Sequence, residues 1–123
     1  MEEKRKFIRF SVSLDAKSRA AGWFRQRARY SVKDVSKEGL KMSSKGALKE
    51  GDMLELELSV PGKKAPVTAM GQVVWNHKLG GAGYDIGLKF KTIKPEDRFD
   101  LLDIGYNKWV ESQKAAVKVP DSL

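Results

Sequence analysis

The sequence predicts a mainly β protein, a small barrel or sandwich, finished by one C-terminal helix. Three observations predict it. From Phe7 to about Lys91, short β-like runs are separated by Gly, Pro, Asn and Ser turn signals. One of those runs alternates strictly between leucine and polar residues. After Pro95 the apolar period lengthens from two residues to between three and four. At 123 residues the chain holds one domain with one core.

Taken in order, Phe7–Leu14 and Ala28–Val35 read as strands, and Gly39–Ser43 as a third. The plainest strand is the run 53–60. Its Leu54, Leu56, Leu58 and Val60 take one face, while Glu55, Glu57 and Ser59 take the other, expected to be solvated. Pro61-Gly62-Lys63-Lys64 supplies turn chemistry after it. Val67–Asn76 and Tyr84–Phe90 follow, joined by Gly80-Gly81-Ala82-Gly83, a composition suited to a tight hairpin loop. A helix is expected over 95–113. Pro95 fits its first turn, and Glu96 and Asp97 sit favourably near its positive end. Phe99, Leu102, Tyr106 and Trp109 form the apolar stripe expected to cover the barrel, with a dimer contact as the alternative use. Gly105 falls inside the stripe and weakens it slightly. Residues 114–123 read as a frayed tail.

Composition narrows the function classes. An apolar fraction of 41% and a charged fraction of 33% suit a soluble globular chain. No apolar stretch approaches the about 18 residues of a membrane span, and no apolar segment follows the charged N-terminus as in a secretory signal. There is no cysteine, hence no disulfide, thiolate nucleophile or Cys-based zinc site, and the reading is cytoplasmic. Residues 1–45 carry 13 Lys/Arg and 5 Asp/Glu, whereas 46–123 carry 11 of each, so the net charge of +8 lies wholly in the first block. Six of the seven arginines are there. A guanidinium fork matches phosphate oxygens and the O6/N7 edge of guanine, so the block suggests a phosphate-bearing partner.

Enzymatic groupings are thin. His77 is the only histidine and sits at a strand end beside Asn76. Ser36 lacks a nucleophile elbow. The run from Gly81 to Gly87 precedes a strand, so it is no phosphate-binding glycine loop. No catalysis is expected, and no metal. Two other segments say more. Arg5 and Arg9 stand in an R-x-x-x-R spacing, with Phe7 and Phe10 as anchors. About 25 residues later, Asp34-Val35-Ser36-Lys37-Glu38-Gly39 is a β-like run meeting a turn. Short polar side chains there lie near backbone N–H groups, and Gly39 permits positive φ or close backbone approach. Either segment alone is common; the pair in this order is not.

With both motifs, D-x-S-x-x-G following R-x-x-x-R, the sequence resembles the PilZ family, whose small β-barrels bind the second messenger cyclic di-GMP. Val73-Val74-Trp75 and the run from Tyr84 to Phe90 resemble the family's later strands. The resemblance implies a six-stranded antiparallel barrel over 10–94, within one domain over 1–113. It implies cyclic di-GMP as ligand, with no cofactor and no enzyme activity. Arg5 and Arg9 would grip phosphate and guanine, Lys4 would bear on whether one ligand or two are held, and Asp34 would accept from the guanine N1–H and N2–H₂. Ser36 would bond a phosphate or base edge, and Gly39 would let the backbone approach the purine. Residues 1–9 would be an arm, mobile alone and ordered by ligand, that signals to an unidentified protein controlling motility, exopolysaccharide or virulence. A monomer or weak dimer is expected. The alternative readings are an adaptor without ligand, and an RNA or single-stranded DNA binder. The latter would use Arg19, Arg25, Arg27 and Arg29 with Trp23, Phe24 and Tyr30.

Overall fold

Alternation of small polar and apolar residues builds the first strand, β1 (Phe10–Ser18). Val12, Leu14, Ala16 and Ser18 turn inward, and Ser11, Ser13 and Asp15 outward. The structure is a computed structural model, and it describes residues 8–18 and 28–116. After β1 come β2 (Arg29–Val35), β3 (Gly39–Ser44), β4 (Met53–Leu58), β5 (Val67–Lys78), β6 (Tyr84–Ile93) and the helix α1 (Pro95–Ala116). The strands close into an antiparallel barrel in the order β1-β2-β3-β6-β5-β4.

The barrel interior is filled by the inward residues of every strand. Leu40, Met42, Leu56, Leu58 and Ile86 are fully buried there. Burying one such side chain is worth about 1.5–3 kcal/mol, so the alternation read from β4 translates directly into core. Glu55 and Glu57, expected on a solvated face, are instead half-buried, since β5 on one side and β1 on the other crowd that short strand. β1 begins three residues later than expected and runs to Ser18, because Ala16 and Ser18 are small enough to be core without looking apolar. Ser59 N–H donates to the Asp15 carbonyl at 2.9 Å and fastens the exit of β4 to β1.

α1 corrects the expected stripe. Leu101 is fully buried and Gly105 is buried, with Ile104 partly so. Phe99, Tyr106 and Trp109 are 67%, 50% and 48% exposed. The reason is steric. A Cβ on Gly105 would lie 2.5 Å from Phe10 Cβ, so the missing side chain lets the helix settle on β1 along the Leu101/Gly105 line. The aromatic line then falls beside the contact. Phe10 meets Tyr106 edge-on at 6.2 Å between centroids, and Tyr106 leans on Trp109 at 6.0 Å. The helix also runs to Ala116, three residues beyond the expected end; the tail from 117 lies outside the described residues. Near its start, Lys63 bridges Asp100 at 2.5 Å and Asp97 at 3.4 Å. The hydrogen bond that Lys63 donates to Asp100 is the main cause raising its pKa; desolvation opposes it, and the hydrogen bond donated to Asp97 and the two carboxylate charges raise it further.

Candidate functional site

The antiparallel pairing of β1 with β2 sets Ser11 opposite Asp34, so Arg9, two residues before Ser11, reaches the Asp34 carboxylate. Arg9 Nε donates to Asp34 Oδ1 at 2.9 Å, and Nη2 donates to the same oxygen at 2.6 Å. Lys41, across the sheet from Asp34 on β3, stands 3.5 Å from Oδ2. The β2 register shifts between Val32 and Asp34, an irregularity that re-aims the side chain at the barrel rim. The side chains of Arg9 and Asp34 are 25% and 15% exposed. Asp34 Oδ2 therefore keeps open acceptor capacity, and three of the five guanidinium N–H donors of Arg9 are not committed to Asp34. Arg9, Asp34 and Lys41 thus form a compact charged cluster at the rim, with hydrogen-bonding capacity left on Arg9 and Asp34.

Ser36 and Gly39 are brought to the same rim but face a different task. Ser36 is buried, and its Oγ accepts from the N–H groups of Glu38 and Gly39 at 3.3 Å while donating toward the Gly39 carbonyl at 3.4 Å. Its N–H also donates to the Gly39 carbonyl at 2.8 Å. All of the hydroxyl's capacity goes into the β2–β3 turn, so here it shapes the turn, and a phosphate or base edge would have to displace one of these bonds. Gly39 does not have positive φ; among the described residues that conformation belongs to Gly51, Gly62 and Gly83. A Cβ at Gly39 would collide with the Leu88 carbonyl of β6, so the glycine's close approach is to the barrel wall. The Phe90 N–H, donating to the Glu38 carbonyl at 2.7 Å, ties the same turn to β6.

The structure adds a residue that the motifs do not name. Trp75 of β5 stands in register with Gly87 of β6, and a Cβ at Gly87 would run into its indole. The ring thus lies across the sheet and stays 38% exposed. It shares a small concavity of about 140 Å³ with Arg9, Gly39 and Lys89. The signal in the sequence was the paired Trp75 and Gly87, legible only once their register is known. Lys4 and Arg5 lie outside the described residues, as do Arg19, Trp23, Phe24, Arg25 and Arg27. Among the described residues no group of three or more His, Cys, Asp or Glu is placed to hold a metal ion. Nor is any helix there long and apolar enough to cross a membrane.

A closed six-stranded antiparallel barrel with a C-terminal helix, carrying an Arg–Asp pair and a D-x-S-x-x-G turn at one rim, defines a PilZ-type fold. The chain belongs to that family: the PilZ domain matches residues 3–104. Solved structures agree in fold. The PilZ domain of YcgR from Escherichia coli with c-di-GMP superposes with a TM-score of 0.69 at 18% identity, covering 95% of this chain and all of that one. The MrkH–c-di-GMP complex of K. pneumonia gives 0.76 at 17% identity, over 94% of this chain and 56% of that one. The Bacillus subtilis inhibitor of motility MotI gives 0.73 at 15% identity, over 89% and 53%. The chain thus spans about half the length of the latter two proteins. No curated protein sequence matches it significantly.

Proposed function

We propose that this chain is a cytoplasmic cyclic di-GMP receptor without enzymatic activity, and that its arm, residues 1–9, closes on the ligand. The observation that carries the reading is the Arg9–Asp34 pair at a rim shared with Trp75. In this reading Arg9 turns part of its fork to a phosphate or to guanine O6/N7, while Arg5 supplies a second fork and Lys4 a cation beside them. Asp34 accepts from guanine N1–H and N2–H₂ through the lone pairs that Arg9 leaves open. Ser36 and Gly39 hold the turn that presents Asp34, and the exposed indole of Trp75 offers a face on which a guanine can stack. Each bidentate guanine contact contributes about 1–3 kcal/mol, and a few of them account for the roughly 8 kcal/mol of a micromolar complex after association costs. Support comes from the family membership and from neighbours whose structures contain c-di-GMP. The bound, ordered arm then forms a new surface for a downstream protein, in motility, exopolysaccharide or virulence control.

The test is isothermal titration with cyclic di-GMP, with GMP as control, combined with amide exchange of residues 2–10. Saturable heat with cyclic di-GMP and none with GMP is expected, and the molar ratio counts the ligands. Protection of the arm amides should rise on binding. Absence of heat at high micromolar ligand removes the receptor reading, whereas binding with unchanged arm exchange removes only the closure.

A further inference from the structure

A second concavity lies away from the arginine rim. It is a cavity of about 890 Å³ at the other end, where β1 finishes and β2 begins. Lys17 lies eight residues beyond Arg9, about 26 Å along an extended strand. The two sites are therefore separate.

The walls of this mouth are held by the backbone. Ser18 N–H donates to the Ala28 carbonyl at 2.9 Å and Ser18 Oγ accepts from the Ala28 N–H at 3.3 Å, which pins the start of β2 to the end of β1. On the far side, Gly83 at φ +104° closes the β5–β6 loop, with the Leu79 N–H donating to its carbonyl at 3.1 Å. The floor is Ala16 and Tyr30, and Tyr84 stands half-buried in the wall. Residues 19–27, which connect β1 to β2 in the sequence, lie outside the described residues.

The chemistry is in the charges. Lys17 and Arg29 are direct cross-strand partners, and Lys45 at the end of β3 joins them on the cavity lining. Like charges placed directly opposite one another on a sheet repel. Neither Lys17, Arg29 nor Lys45 forms an ion pair among the described residues, whereas Arg9, Lys33, Lys41 and Lys63 all do. Among the described residues, Asp15 is the one carboxylate on the lining. The Ser31 and Ser59 hydroxyls also border the cavity without a hydrogen bond among the described residues. Cations that repel one another, free hydroxyls and an aromatic wall suit a phosphate joined to a base.

We propose that this mouth is a second site, which binds a nucleotide phosphate unit, with Lys17, Arg29 and Lys45 on the phosphates and Tyr84 against the base. The unit comes either from a single-stranded nucleic acid or from a free nucleotide. The site is independent of whatever the arginine rim holds.

The probe is a fluorescein-labelled octauridylate, titrated by fluorescence anisotropy between 50 and 200 mM KCl, with AMP as competitor. Three cations on a single strand give a salt slope of about −2, so the Kd should rise roughly 16-fold over that range. The triple variant K17A/R29A/K45A should bind at least about tenfold more weakly with a nearly flat salt slope, its fold checked by circular dichroism. Arg9→Ala should bind the octamer as the natural chain does, which separates this test from that of the arginine rim. Full displacement by AMP at concentrations near its own Kd identifies the free nucleotide as the ligand; resistance identifies the strand. No saturable binding of either probe at 1 mM and 50 mM KCl overturns the proposal, and so does a triple variant that binds both unchanged.

Discussion

Replacing Arg9 with alanine separates two jobs that one side chain holds. In the free protein Arg9 makes two hydrogen bonds to Asp34, with both side chains mostly but not fully buried. Hydrogen bonds to charged groups contribute about 1.5–3 kcal/mol each when buried, but partial exposure and the remaining Lys41 cation 3.5 Å from Asp34 reduce the loss. A destabilisation of about 1–2 kcal/mol follows, or about 4–8 °C in Tm for a chain of this size. The ligand term is larger. Losing a bidentate grip on phosphate or guanine costs about 3 kcal/mol, less about 1 kcal/mol because the free protein must first release Asp34. The net of about 2 kcal/mol is roughly a 30-fold weaker Kd. Thermal unfolding by circular dichroism and titration calorimetry read the two terms separately. Arg9→Lys should recover part of the affinity, since it keeps the charge and loses the fork. If the Arg9→Ala variant loses Tm as expected but binds cyclic di-GMP within threefold of the natural chain, Arg9 is a strut for Asp34 and the assignment to ligand is wrong.

Other substitutions probe the remaining geometry. Gly39→Ala drives a methyl into the Leu88 carbonyl and should destabilise the barrel by about 3 kcal/mol in urea unfolding, the upper end of overpacking costs because backbone cannot step aside. A loss below 1 kcal/mol would show that the turn relaxes freely. Gly105→Ala pushes the helix against Phe10 and should cost about 1–3 kcal/mol, with a matching change in near-ultraviolet circular dichroism from the Phe10–Tyr106 pair. Trp75→Ala should leave the fold nearly unchanged, the ring being 38% exposed, and weaken cyclic di-GMP binding by about 1–2 kcal/mol, roughly 10-fold, if a base stacks there.

Much of the fold was legible because side-chain period maps onto a barrel with one wet and one dry face. β4 was plainest, for its leucines alternate without exception. β1 was harder. Its inward residues shrink toward Ser18, and a serine at a core position carries no hydrophobic signal. The helix misled in an instructive way. Aromatics at 99, 106 and 109 dominate any apolar stripe, yet depth of burial was decided by Gly105, whose contribution is the absence of a side chain. At the site, Arg9 and Asp34 were recoverable from spacing, and the structure brings them into contact. Ser36 and Gly39 were found by the same motif, but their surroundings give them to the turn and to the β6 wall. Trp75 escaped because its meaning depends on Gly87, a partner assigned by strand register rather than by sequence distance.

Every described strand has a neighbour on both sides, β1 and β4 meeting to shut the ring. The closing seam is short, with Ala16, Lys17 and Ser18 of β1 in register with Leu58, Glu57 and Leu56 of β4, and α1 packs on β1 at Phe10. Closure leaves a partner protein little strand edge to extend, so recognition by β-strand addition is disfavoured along this wall. Recognition of this domain therefore falls mainly to side chains, and the aromatic row of Tyr106 and Trp109, which abuts Phe10 one residue from Arg9, is an exposed apolar surface beside the arginine rim, in addition to Trp75 within it. The same closure protects the protein from itself, since a closed barrel offers little open edge as a template on which a second copy can stack.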